Sequence, residues 1–294
     1  MLDQYRTQLI HQMEDPERVF FNEISRIMND NHPHFKPLEL EDIDKVSMQQ
    51  AAAFLQACLN PADYTFVFTG NINPETMKEY AEKYLGSIPD VISNRFNNYI
   101  DPNITRPQNI SRTINKGQDE RSMVYLNWYS PGDNQFNVRR NQISAVLNEY
   151  LGILLTDEIR EKLGGVYGIS SGSSVSVIPK GEYSLAVYFV CNPERVEELI
   201  SAVIACLHDL IDSPLSNEIF NQSKESLLMQ HNRSMQRNLH IAQSYANSSV
   251  LYNTPLVRLN QRPDVIRVVT PREVQDLCRQ MLSAGLVRVV LYPD

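Results

Sequence analysis

Arg160 and Tyr167 stand on either side of two adjacent glycines in the stretch Leu155-Thr-Asp-Glu-Ile-Arg-Glu-Lys-Leu-Gly-Gly-Val-Tyr-Gly-Ile-Ser. A guanidinium and a phenol carried to one corner can donate hydrogen bonds to the carbonyls of an extended peptide. The residues between them dictate such a corner. Arg160 falls in the last turn of an expected helix, where a cation also suits the helix dipole. Gly164 and Gly165 permit the left-handed backbone that ends it. Tyr167 opens a strand, and every second residue from Gly168 to Ser176 is Gly or Ser, so one face of that strand is nearly bare. The same spacing also admits a structural reading. In that reading Arg160 pairs with Glu161 or Asp157 in solvent, Tyr167 fills the core, and the bare face seats a helix.

Other chemistry finds little support. Metal-assisted peptide hydrolysis needs two histidines one helical turn apart and a glutamate base. None of the six histidines lies in an H-x-x-E-H or its inverse. His11 is followed by Glu14 and then Asp15, and His231 and His240 are poorly placed to share a helix face. His32-Pro33-His34 is an H-x-H pair in a loop, without a third ligand in view. An independent metal hydrolase built on His32 and His34 is one reading of it; a chance pair of surface histidines is the other. There is no G-x-S-x-G nucleophile elbow. Gly164 to Gly168 lacks the Lys-Ser/Thr of a phosphate loop and runs from helix to strand, the wrong order for anion binding. No catalytic residue and no metal ligand is therefore assigned. Cys58, Cys191, Cys206 and Cys278 are scattered, with no C-x-x-C, and read as buried thiols.

The elements that must position the corner follow from periodicity. Leu2 to Met13 and Glu17 to Met28 have helical spacing. Ser47 caps a helix bearing Ala51, Phe54, Leu55 and Leu59. Tyr64-Thr-Phe-Val-Phe-Thr has strand composition, and Asn73-Pro74 starts a helix that Gly86 ends. Apolar periodicity then lapses, with Pro102 and Pro107 in an Asn-rich stretch. Ser122 to Tyr129 reads as a strand, and Ile143, Val146, Leu147, Tyr150, Leu151 and Leu154 mark a helix. Tyr167–Ile178 and Tyr183–Cys191 form a hairpin around Pro179-Lys180-Gly181. Asn192-Pro193 opens another helix, more helix follows from Asn217, and Leu286 to Leu291 is a closing strand.

A loose internal repeat links Ile43, Val46, Ser47, Phe54, Leu59, Phe66, Val67 and Phe68 with Ile266, Val269, Thr270, Leu277, Leu282, Val289, Val290 and Leu291. The offset is constant, since 266 − 43 and 289 − 66 both give 223. A repeat of that period is a whole domain. The expected fold is α+β: two related domains, each a mostly antiparallel sheet with helices packed on it, the first incomplete at its N-terminus. The expected boundaries are 1–95, a linker at 96–110, and 111–294.

The chain has 294 residues and a formal charge of −8, with 35 acidic against 27 basic residues. That balance and the lack of a basic stripe argue against a nucleic-acid partner. No apolar run reaches the ~18 residues of a bilayer span.

The Arg160/Tyr167 stretch resembles the arginine/tyrosine signature in the C-terminal half of pitrilysin/insulysin-type zinc peptidases, bacterial envelope members above all. Asn60-Pro-Ala-Asp-Tyr-Thr-Phe-Val-Phe-Thr-Gly-Asn-Ile-Asn-Pro-Glu, closing in Tyr84-Leu-Gly-Ser-Ile-Pro89, resembles that family's strand, turn, helix and Gly-x-x-Pro close. The resemblance implies a substrate-binding, non-zinc half, with Arg160 and Tyr167 on the backbone of a peptide substrate. It implies that zinc is held by an N-terminal half absent here, in the same protein or a partner subunit, and that this chain does not cleave alone. It also implies a periplasmic setting. The alternative is a proteolytically inactive scaffold or interaction subunit of the same fold.

Overall fold

The computed structural model describes residues 2–58, 64–88, 101–251 and 257–294. In chain order the helices are α1 (Leu2–Glu14), α2 (Pro16–Met28), α3 (Leu40–Asp44), α4 (Met48–Cys58), α5 (Pro74–Tyr80), α6 (Val138–Leu155), α7 (Val196–Asp212), α8 (Asn217–Ser234), α9 (Asn238–Tyr245), α10 (Val257–Val268) and α11 (Pro271–Leu282). The strands are β1 (Ile110–Asn115), β2 (Ser122–Pro131), β3 (Val166–Ser176), β4 (Glu182–Cys191) and β5 (Leu286–Tyr292). They form one open sheet in the order β1-β5-β2-β4-β3. β1 runs parallel to β5, and every other neighbouring pair is antiparallel. The expected α+β class, with helices on a mostly antiparallel sheet, is what the chain adopts.

Side-chain alternation assigns the two faces of the sheet. In β4, Leu185, Val187, Phe189 and Cys191 all point one way and are fully buried. They meet buried residues of α6, α7 and α11 in the main core. The first turn of α11 is fixed by a capping box in which Thr270 and Glu273 satisfy each other's backbone N–H groups. On the other face lies α2, started by Asp15 and Pro16. Its Phe20, Ile24 and Met28, spaced one turn apart, pack on Met123, Val287, Val289 and Leu291. Burying each such side chain contributes about 1.5–3 kcal/mol.

β1 carries no sequence signal. Ile-Ser-Arg-Thr-Ile-Asn has two apolar residues and no clear alternation. It forms because β5 offers it a parallel ladder, from Ile110 on Val287 to Asn115 on Tyr292.

By packing, the chain divides into two compact units: Met1–Leu40 with Ile100–Met229 and Arg262–Asp294, and Glu41–Tyr99 with Gln230–Gln261. The sheet, α1 and α2 belong to the first unit. The sequence scheme instead grouped residues 1–95 together.

In the second unit one expectation fails. Tyr64 to Thr69 forms no ladder and is irregular. Tyr64, Phe66 and Phe68 are between 44% and 48% exposed. The composition suits a strand, but no strand among the described residues lies beside it to take its backbone hydrogen bonds. Leu59, Pro89 and residues 96–100 of the expected linker lie outside the described residues.

Candidate peptide-binding site

α6 supports the site from below. Leu147, Leu151 and Leu155 are buried against the sheet. Ser144 and Asn148 reach β3, the last strand of the sheet. The Ser173 hydroxyl donates to the Ser144 carbonyl at 2.7 Å, and the Ser173 N–H donates to Asn148 Oδ1 at 3.2 Å. A helix side chain thus satisfies an edge N–H that no further strand among the described residues serves.

After Leu155 the helix widens into a π-helix, Thr156–Leu163. Such wider turns are uncommon and often occur at functional sites. Arg160 sits in this segment with its side chain 54% exposed. Its nearest carboxylate is Glu161, with Nε to Oε1 at 3.7 Å, too long for a hydrogen bond. The solvated ion pair of the structural reading is therefore present, but loose.

The two glycines then turn the chain. Gly164 has φ 68° and ψ 177°, a region that only glycine visits freely, and Gly165 has φ 91°. Arg195, in the short 3₁₀ turn before α7, holds this corner. Its Nη1 donates to the Gly164 carbonyl at 3.0 Å, while Nε and Nη2 form a fork on Glu198 at 2.8 and 2.7 Å. The hydrogen bonds from Arg195 hold the Glu198 carboxyl below its ordinary pKa. A Cβ on Gly165 would clash with Arg195 Nη1. Nothing in the sequence ties Arg195 to a corner 31 residues earlier, and it was not foreseen.

β3 begins with an irregularity. Val166 pairs with Cys191 and Gly168 with Val190, so Tyr167 is the extra residue of a β-bulge. A bulge re-aims a side chain without ending the strand. Val166 stays buried, while Tyr167 is 67% exposed and does not fill the core. Gly168, Ser170, Gly172 and Ser174 are exposed as well. They pair with Val190, Tyr188, Ala186 and Ser184, of which Val190 and Tyr188 pack against the α2 cluster. The bare strand face is therefore the outer one, open at the sheet's end. α6 packs on the opposite side, and among the described residues no helix covers the bare face.

Arg160 and Tyr167 thus emerge at the two ends of one clamped corner. No hydrogen bond joins them, and among the described residues neither donates to another group.

The other histidine features resolve into local structure. His32 Nδ1 accepts the backbone N–H of His34 at 3.2 Å, and the His32 ring lies 5.4 Å from both the His34 and Phe35 rings. Among the described residues no three of His, Cys, Asp and Glu gather as a metal site would require. No single helix among them is long and apolar enough to cross a membrane.

This α+β sheet with helices packed on it has the fold of a solved peptidase M16 inactive domain. The chain belongs to the peptidase M16 family: residues 45–227 match the family described as the peptidase M16 inactive domain. It is 27% identical over 236 residues to the probable zinc protease PqqL of Escherichia coli K12, covering 79% of this chain and 24% of that protein. To the probable zinc protease PqqL of Haemophilus influenzae it is 24% identical over 233 residues, covering 78% of this chain and 24% of that one. The chain thus spans about a quarter of the length of these curated relatives. Among solved structures, the periplasmic protease PqqL from Escherichia coli superposes with a TM-score of 0.83 at 22% identity, over 100% of this chain and 32% of that one. A peptidase M16 inactive domain from Pseudomonas fluorescens gives 0.76 at 15% identity, over 100% of this chain and 70% of that one.

Proposed function

We propose that this chain is the substrate-binding, non-zinc half of a zinc metalloendopeptidase acting on peptides or small proteins. The observation that carries the reading is the exposed bulge residue Tyr167. It stands between a clamped glycine corner bearing Arg160 and a strand face of bare Gly and Ser. An extended peptide laid along that face would meet little side-chain bulk, and Arg160 and Tyr167 would donate to its carbonyls. The curated relatives are named as zinc proteases, and the matching family is described as an inactive domain. Both support a division of labour. In it, zinc on the other half activates the water, while this chain orients the peptide and shields it from solvent. Escherichia coli PqqL is described as periplasmic, which supports the same compartment here.

The test is cleavage by this chain assembled with its zinc-bearing half. Arg160→Ala and Tyr167→Phe should each lower kcat/KM by on the order of 100-fold. Melting temperatures should not change, because both side chains are exposed. Wild-type rates in both variants would leave the alternative, a scaffold of the same fold.

A further inference from the structure

Beside Tyr167 lies a recess of about 630 Å³ lined by Asp119, Glu120, Arg121, Tyr167, Gly168 and Val190. Its parts differ in chemistry. Val190 and Gly168, neighbours across the β3–β4 ladder, form an apolar floor. That floor is open, because a Cβ built on Gly168 meets nothing within 4 Å. The Tyr167 ring is one wall. The loop before β2 supplies the rim. Arg121 answers Asp119 at 3.3 Å. Glu120 has no cation partner among the described residues, and it is exposed at the lip.

From this recess we infer that the site selects peptides with a lysine or arginine side chain at the position beside Tyr167. This rests on the peptide-binding reading above and adds a substrate class to it. A long aliphatic stem fits an apolar floor while its charged head stays at a wet rim, as lysine and arginine do on protein surfaces. The Glu120 carboxylate offers the head an opposite charge. The Tyr167 ring face offers a cation–π contact. A carboxylate-bearing side chain would meet Glu120 and Asp119 instead. The chain's charge of −8 further favours encounter with basic peptides.

The experiment is fluorescence anisotropy on the 294-residue chain with labelled, otherwise uncharged extended peptides. One residue is set in turn to lysine, norleucine or glutamate and moved along the peptide. Norleucine keeps most of the lysine stem and removes the charge. At one position, lysine should bind about five-fold more tightly than norleucine, the range expected of one exposed charge pair. Glutamate should bind more weakly than either. Glu120→Gln is isosteric and exposed; it should cut the lysine advantage to what the Tyr167 ring alone supplies and leave the norleucine affinity unchanged. Raising salt to about 0.5 M should shrink the advantage in the wild type. Gly168→Val, which fills the floor, should weaken both peptides at that position. Equal lysine and norleucine affinities at every position, or a lysine advantage untouched by Glu120→Gln, would overturn the inference and leave peptide binding standing. If no peptide binds the chain, the peptide-binding reading fails and takes this inference with it.

Discussion

Arg195 donates to the Gly164 carbonyl at 3.0 Å. That bond ties the start of α7 to the turn on which Arg160 and Tyr167 depend. The corner is therefore held from outside its own sequence, by a guanidinium that Glu198 keeps in place. Arg195→Ala should loosen the turn and reduce peptide cleavage by the assembled enzyme about ten-fold or more, since small misplacements of positioning groups are costly. Arg195→Lys keeps the charge but cannot both fork on Glu198 and reach Gly164, so it should not restore activity. Restoration by lysine would show that charge alone matters and that the fork does not position the corner.

Gly165→Ala tests the same corner through stability. The backbone has φ 91°, and the new Cβ would clash with Arg195 Nη1. The left-handed conformation alone costs an L-residue about 1–2 kcal/mol, and displacing Arg195 adds to this. Urea unfolding should show a loss of about 2 kcal/mol or more. In an Arg195→Ala background the loss should shrink toward the conformational cost, because the clash is gone. Identical losses in both backgrounds would mean that the clash with Arg195 contributes nothing.

A second arginine ties the segment after residue 100 to the sheet. Arg106 forks on Glu182 with contacts of 2.8 to 3.1 Å, donates Nη1 to the Met28 carbonyl at 2.9 Å, and lies over the Tyr129 ring at 4.8 Å. Glu182 is only 7% exposed. Removing one partner of such a pair leaves the other charge poorly solvated. Glu182→Ala should therefore cost about 2–4 kcal/mol, below the full buried-pair range because Arg106 keeps some solvent contact. Chemical denaturation measures it. The Arg106→Ala/Glu182→Ala double variant should recover part of the loss.

Much of the corner's backbone geometry was legible in the sequence because its signals are local. The glycine pair fixed the corner, the small-residue alternation marked the bare face, and Tyr167 could be placed at the strand start. The rest depends on contacts between distant residues. The bulge is set by how β3 registers on β4, which one strand cannot announce. Arg195 reaches the corner through the tertiary fold. β1 has almost no pattern of its own and exists through β5. Tyr64 to Thr69 shows the converse: its strand propensity is strong, yet propensity without a neighbouring strand makes no ladder.

Alkaline pH should destabilise the fold through its thiols. Burial pushes Cys278 up to about 12 and Cys191 up to about 11, from an ordinary value of 9.0. Both are fully buried. Tyr125, also raised chiefly by burial, reaches about 12. Above about pH 9 the unfolded chain gives up thiol protons that the folded chain retains. The folded state then binds more protons, so stability falls as pH rises through the window from about 9 to 12. Urea midpoints at pH 8 and pH 10.5 should differ accordingly, with the lower midpoint at pH 10.5. Cys191→Ala/Cys278→Ala should flatten the dependence while lowering stability at pH 8 through the cavities left behind. At pH 8, a thiol reagent should label exposed Cys58 first and reach Cys191 and Cys278 only on unfolding.

The two copies of the internal repeat should differ sharply in local stability. Their caps coincide: the Ser47 hydroxyl accepts from Gln50 N–H at 3.3 Å and the Thr270 hydroxyl from Glu273 N–H at 3.4 Å. The helices that follow, α4 and α11, do not share an environment. Phe54 is 73% exposed where its counterpart Leu277 is 6% exposed, and Phe66 is 48% exposed where Val289 is fully buried. α4 has no buried residue at all, whereas α11 buries Val274, Leu277, Cys278 and Met281. An 11-residue helix with no packed face is marginal in water. Its opening free energy should be close to zero, while that of α11 and β5 should approach the global value. Hydrogen exchange followed by mass spectrometry on the 294-residue chain reads this directly. Peptides spanning 48–58 should exchange within seconds to minutes. Peptides spanning 271–282 and 286–292 should remain protected far longer. Comparable protection in both copies would mean that α4 is covered in solution, and that the exposed Phe54 and Leu55 face has found a partner.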